Sequence, residues 1–191
     1  MGCKCEESML HLVQCRFIKT YWNMVRKFLT QVIGESPDRK DIHAIVFNMS
    51  NVAQAKMMST EACAFTRHAF DTFWRDFALV DTNGKAFIPE YTFHRTMENF
   101  HNAVLAYGQS IKQFKTQRRY TNLKKHVPEK TLEQFPTLIT IDPNTYNFEL
   151  TDALKTAYSD AHTAAKAYAD AHKPQATGGS GQPMPPPPPG F

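Results

Sequence analysis

The sequence predicts a mainly α-helical protein. It reads as a helical bundle or long helical hairpin, with a small cysteine- and histidine-rich opening segment and a disordered Pro-rich C-terminal tail. Three observations predict this. Apolar residues recur at three- and four-residue steps through four long stretches, the spacing of one face of an α-helix. Gly34, Pro37, Asn83-Gly84 and Pro128 punctuate the chain between or beyond those stretches. From Pro174 the chain reads PQATGGSGQPMPPPPPGF, which offers no core-forming residue before the final Phe191. The division that follows is 1–35 for the opening segment and its helix, 36–173 for the helical domain and 174–191 for the tail. With 191 residues, 42% of them apolar and 12% aromatic, the chain is long enough to bury a core.

From Arg16 to Ile33 the residues Ile18, Tyr21, Trp22, Val25, Phe28, Leu29 and Val32 form a wide apolar face, and Gly34 with Pro37 stops the helix. A short helical stretch is expected around Asp41–Met49. Ser59 or Thr60 caps the next helix, which runs to about Val80 and is rich in rings: Phe65, Phe70, Phe73, Trp74 and Phe77. Pro89 suits a first helical turn. After it, Phe93, Met97, Phe100, Val104, Tyr107, Ile111 and Phe114 alternate steps of four and three, the seam of a helical hairpin or coiled coil. The stretch LITID reads as a short extended piece. A last helix over about Glu149–His172 repeats Leu150, Leu154, Ala157, Ala161, Ala165 and Tyr168, and its small residues admit a close neighbour.

The net charge of +4 is unevenly spread. Residues 112–130 carry seven Lys/Arg against Glu129 alone, whereas residues 131–191 carry three Lys against six acidic residues. No apolar run approaches the ~20 residues of a membrane span, and no signal-peptide core precedes the first helix. The expectation is a soluble intracellular protein, cytoplasmic or nuclear, whose cysteines are thiols or ligands rather than disulfides.

The opening MGCKCEESMLHLVQC supports three readings. Cys3, Cys5, His11 and Cys15 have the number and types of donor for one tetrahedral zinc ion, with His11 and Cys15 one helical turn apart; the single residue between Cys3 and Cys5 makes a tight chelate loop. Alternatively the cysteines are simply buried and His11 caps a helix. Met1-Gly2-Cys3 also resembles dually acylated N-termini, against which stand Glu6 and Glu7.

The run Cys3-x-x-x-Glu7-Ser8-x-x-His11-Leu12-x-x-Cys15, followed by a helix with Trp22, resembles the zinc-binding segment that follows the polymerase domain in non-LTR retrotransposon reverse transcriptases. The resemblance covers about the first 35 residues and extends loosely to about residue 120. It implies that Glu7-Ser8 stands for that family's acidic pair, His11 and Cys15 for its last two ligands and Trp22 for its packing aromatic. Measured back from His11, Cys3 fits the family's second cysteine. The resemblance therefore implies a truncated piece of a longer protein, with Cys5 a substitute ligand or a bystander.

Catalytic signatures are missing from the sequence. It has no paired catalytic aspartates, no Gly-rich phosphate loop and no Gly-x-Ser-x-Gly elbow, and Pro37-Asp38 is the nearest approach to a nuclease motif. His68 and Asp71 read as an ordinary helical surface pair. His94 and His101, two turns apart, are too distant to share a zinc ion. The expectation is a protein that is not an enzyme.

A second candidate site is KQFKTQRRYTNLKK. Lys112, Lys115 and Arg119 step along one helical face, with Arg118, Lys124 and Lys125 adjoining, and Tyr120 is placed to stack on a base while the cations take phosphates. Cations at a helix C-terminus also suit the helix dipole, with no nucleic acid involved. Pro185–Pro189 forms a pre-extended ligand for a polyproline-binding domain, or a plain spacer. The functional expectation is RNA or DNA binding beside one zinc ion; the alternative is a helical interaction scaffold with a polyproline docking tail.

Overall fold

The computed structural model describes residue 15 and residues 18–47, 58–83, 87–116 and 135–172. Among them are five α-helices and one β-hairpin. In chain order they are α1 (Lys19–Phe28), α2 (Arg39–Val46), α3 (Thr60–Asn83), α4 (Pro89–Thr116), β1 (Ile139–Ile141), β2 (Phe148–Leu150) and α5 (Asp152–Ala171). The mainly helical class read from periodicity is the class observed.

The apolar face of α1 buries Tyr21, Trp22, Val25 and Phe28. The helix runs on into a π turn at Leu29–Ile33, and Gly34 ends it at φ 81°, a conformation that favours glycine. Helix α2 is short and depends on its cap. The Asp38 carboxylate accepts from the amides of Lys40 and Asp41, and Asp41 accepts in return from the amide of Asp38 at 2.8 Å. Those amides hold the Asp38 carboxyl below its ordinary pKa. The nearest approach to a nuclease motif is thus spent as a helix cap.

Ser59 caps α3 by accepting from the Ala62 amide at 3.2 Å. Ala62, Phe65, Ala69 and Phe73 are fully buried along that helix, and Trp74 stands 50% exposed beside them. The seam residues of α4 face the same interior: Met97, Phe100, Val104 and Ile111 are buried, with Phe93 and Tyr107 half-buried. Rings knit the three helices together. Phe73 lies 5.6 Å from Tyr21 and 5.8 Å from Trp22, and Phe65 lies 4.0 Å from Phe28 and 5.0 Å from Phe100. The fully buried phenol of Tyr21 donates to the carbonyl of Ala69 at 2.6 Å and lies 3.0 Å from Thr96 Oγ1. Burial pushes its pKa far above the ordinary tyrosine value. Across the α3–α4 junction Asp76 accepts from the Thr92 hydroxyl at 2.8 Å and pairs with Arg95.

Helix α5 packs along α4 in the opposite direction, since Tyr91 meets Tyr168 near one end and His101 meets Tyr158 nearer the other. Leu154, Ala161 and Ala165 are its buried positions, and the alanines permit the close approach. Because α4 packs on α1, α3 and α5 together, the architecture is a bundle rather than an isolated hairpin.

The sequence places Leu150 on the last helix, and here the structure corrects it. Leu150 pairs with Ile139 in an antiparallel ladder with Thr140↔Glu149 and Ile141↔Phe148. The helix begins at Asp152, two residues after Leu150, because Thr151 is extended and its hydroxyl caps Leu154, while its amide donates to the Leu138 carbonyl at 3.0 Å. Asp142 shapes the turn between the strands by accepting from the amides of Asn144 and Thr145 and from the Thr145 hydroxyl. The hairpin lies close against α4: a Cβ at Gly108 would meet the Phe148 ring at 2.6 Å. Its base is tied to α3 by Glu61, which accepts from the Thr137 amide at 2.8 Å and the Thr137 hydroxyl at 2.7 Å.

Candidate nucleic-acid interface and metal-ligating residues

The basic stretch begins on the last turns of α4. Ile111 is buried there, and Lys112, the next residue, is exposed. Lys115 also belongs to α4. Arg118, Arg119, Tyr120, Lys124 and Lys125 lie outside the described residues. The segment starts on a 28-residue helix anchored by Met97, Phe100 and Val104.

Of the four sulfur and nitrogen donors in the opening stretch, Cys3, Cys5 and His11 lie outside the described residues. Cys15 is buried at the edge of the core, and its carbonyl accepts from the Ile18 amide at 3.2 Å. Trp22, one helix further on, is 3% exposed and packs edge-on against Tyr21 at 5.2 Å. Three thiolates and an imidazole are donors that zinc accepts, so the fit of the group rests on that donor set. Among the described residues no cluster of three or more His, Cys, Asp or Glu side chains is arranged around a single ion. Pro185–Pro189 lies outside the described residues as well. No helix among those described is long and apolar enough to cross a membrane.

His68, read in the sequence as a surface pair with Asp71, and His94 and His101, read as too distant to share an ion, meet rings of other helices in the fold. His68 is half-buried, edge-on to Phe100 at 5.9 Å. Burial lowers its pKa, and the neighbouring Asp71 opposes that shift. His94 and His101 do not share a site with each other; each meets α5 instead. His94 Nε2 lies 3.2 Å from His162 Nδ1, and His101 stacks on Tyr158 at 4.8 Å and 17°. Tyr158 also stacks on His94 at 6.0 Å. Sequence reasoning missed His162 because 68 residues separate it from its partner. The available signal was the set Tyr158, His162, Tyr168 and His172, which lie on and beside the alanine stripe of α5 at helical spacing.

No protein-family model matches the chain, and no curated protein or solved structure matches it either.

Proposed function

We propose that the protein binds RNA or DNA through the basic segment that begins at the C-terminal end of α4, with Lys112, Lys115, Arg118, Arg119, Lys124 and Lys125 on phosphates and Tyr120 against a base. One observation carries this reading. Seven cations against one acid occur within residues 112–130, and the first of them, Lys112, stands exposed at the end of a helix whose other face is fixed in the core. The likeness of the opening stretch to the zinc segment of retrotransposon reverse transcriptases supports it. On that reading Cys3, Cys5, His11 and Cys15 hold one structural zinc ion, and the chain positions template for a polymerase that it does not itself contain, acting in the cytoplasm or nucleus without catalysis of its own.

The scaffold alternative relied on the seam from Phe93 to Phe114 pairing with another protein. Met97, Phe100, Val104 and Ile111 are covered by this chain's own residues; the alternative keeps docking of a partner at Pro185–Pro189.

Fluorescence anisotropy with labelled single-stranded RNA and DNA tests the proposal. Affinity should fall steeply between ~50 and ~200 mM salt. Neutralising Lys112, Lys115, Arg118 and Arg119 together should lower the log–log salt slope by about 3, at about 0.7 per lost phosphate contact on a single strand. A quadruple variant that binds with the wild-type affinity and slope would overturn the proposal.

A further inference from the structure

We infer that His94 and His162 form a two-imidazole clamp for a borderline divalent cation such as Zn²⁺, Ni²⁺ or Cu²⁺, joining α4 to α5. The site is separate from the opening cysteines and does not depend on the nucleic-acid reading.

The geometry carries the inference. Two nitrogens bound to one tetrahedral ion at about 2.0–2.1 Å lie about 3.3 Å apart, and their ring centroids lie about 5.2 Å apart. His94 Nε2 and His162 Nδ1 are 3.2 Å apart, with ring centroids at 5.0 Å and planes inclined at 56°. A straight N–H···N pair at the same nitrogen separation would hold its centroids about 5.5 Å apart. The rings are thus bent relative to each other, as two ligands of one ion are. The pair has little reorganisation to undergo, because both helices are held by buried residues beside the pair, α4 by Met97 and α5 by Ala161 and Ala165. Tyr158 stacks on the His94 ring and restrains its tilt.

The protonation state suits the same role. A metal takes neutral imidazole. Burial lowers the His94 pKa first, His162 lowers it further and Glu98 opposes, a shift that favours the neutral ring. In the metal-free pair one ring donates its N–H to the other. On binding, that proton leaves the facing nitrogen and is carried on the other nitrogen of the same ring. Both facing nitrogens then present lone pairs, and no net proton is released. Glu98, exposed and one helical turn from His94, supplies a negative field on the same face of α4, and water fills the remaining positions. Imidazole donors select Zn²⁺, Ni²⁺ and Cu²⁺ over Mg²⁺, which prefers oxygen.

The test uses full-length protein without an affinity tag, titrated with NiCl₂ and with ZnCl₂ by calorimetry at pH 7.5, with amide hydrogen exchange measured alongside. The expected result is one equivalent more in the wild type than in either His94→Ala or His162→Gln, and His101→Ala should keep that extra equivalent. Bound metal should also slow amide exchange in α5, a readout that metal at the opening cysteines would not move. MgCl₂ should do neither. Equal stoichiometry in the wild type and in both clamp variants, each folded by circular dichroism, would overturn the clamp. So would metal binding that leaves α5 exchange unchanged.

Discussion

The face of α4 turned toward α1 and α3 meets phenylalanine and tyrosine rings closed off from solvent, whereas the face turned toward α5 meets histidine and tyrosine rings that are not. Phe100 packs on Phe28 and Phe65 in the first; His94 and His101 pack on Tyr158 and Tyr91 on Tyr168 in the second. Ring contacts of similar geometry therefore serve two purposes. In the first region the rings remove apolar area from water, and burial pushes the pKa of the deeply buried phenol, Tyr21, far above its ordinary value. In the second, alanines do the burying and the rings lie at the rim. One helix is thus fixed on one side by packing and on the other by contacts that solution conditions can alter.

The largest test of that contrast is Phe73→Ala. Its ring is fully buried and touches Tyr21, Trp22, Phe77 and Phe87. Truncation should cost about 3–5 kcal/mol in urea denaturation, and a loss below ~1 kcal/mol would mean that the aromatic core is not the main source of stability. A smaller effect is expected at Gly108, where the hairpin leans on α4. Gly108→Ala drives a methyl into the Phe148 ring and should cost about 1–3 kcal/mol, with faster amide exchange across 139–150 than in α3. Uniform loss of protection would show instead that the hairpin and α3 open together.

The smallest effect belongs to the α4–α5 seam and to pH. The His94 pKa is lowered in the fold by burial and by His162, with Glu98 opposing, so the unfolded chain binds a proton more readily than the native one. The seam's contribution is complete above the ordinary histidine pKa and is lost as the pH falls through and below that value. Protection of α5 amides should therefore drop between pH 7 and pH 5, and His162→Gln should shrink that drop. The shift at His68 has the same sign but is common to both proteins and cancels in the difference. An unchanged pH dependence in His162→Gln would place the sensitivity elsewhere.

The helices were legible in the sequence because each buries a stripe at helical spacing, and their ends because Gly34, Ser59 and Pro89 each do one local job that chemistry dictates. Three things were not legible. Phe148–Leu150 is too short for a period of two to show, and Leu150 also fits the helical spacing of α5. Only the extended backbone of Thr151, set by its bonds to Leu138 and Thr137, decides between the two. The outward position of Trp74 was hidden for a different reason. Phe70, Phe73, Trp74 and Phe77 crowd one helix, and packing partners, not composition, decide which ring turns out. The His94–His162 contact depends on the register between two helices joined through a hairpin, which no local pattern encodes.

The placement of the two tryptophans gives the molecule an optical readout of its own. Trp22, 3% exposed among Tyr21 and Phe73, sits in an apolar cage, whereas Trp74, 50% exposed, stacks on Phe70 at the rim. The folded chain should accordingly emit from two populations, a blue-shifted one shielded from acrylamide and a red-shifted one quenched freely. Loss of the shielded population reports opening of the core, and a change in the other alone reports an event on the outer face of α3.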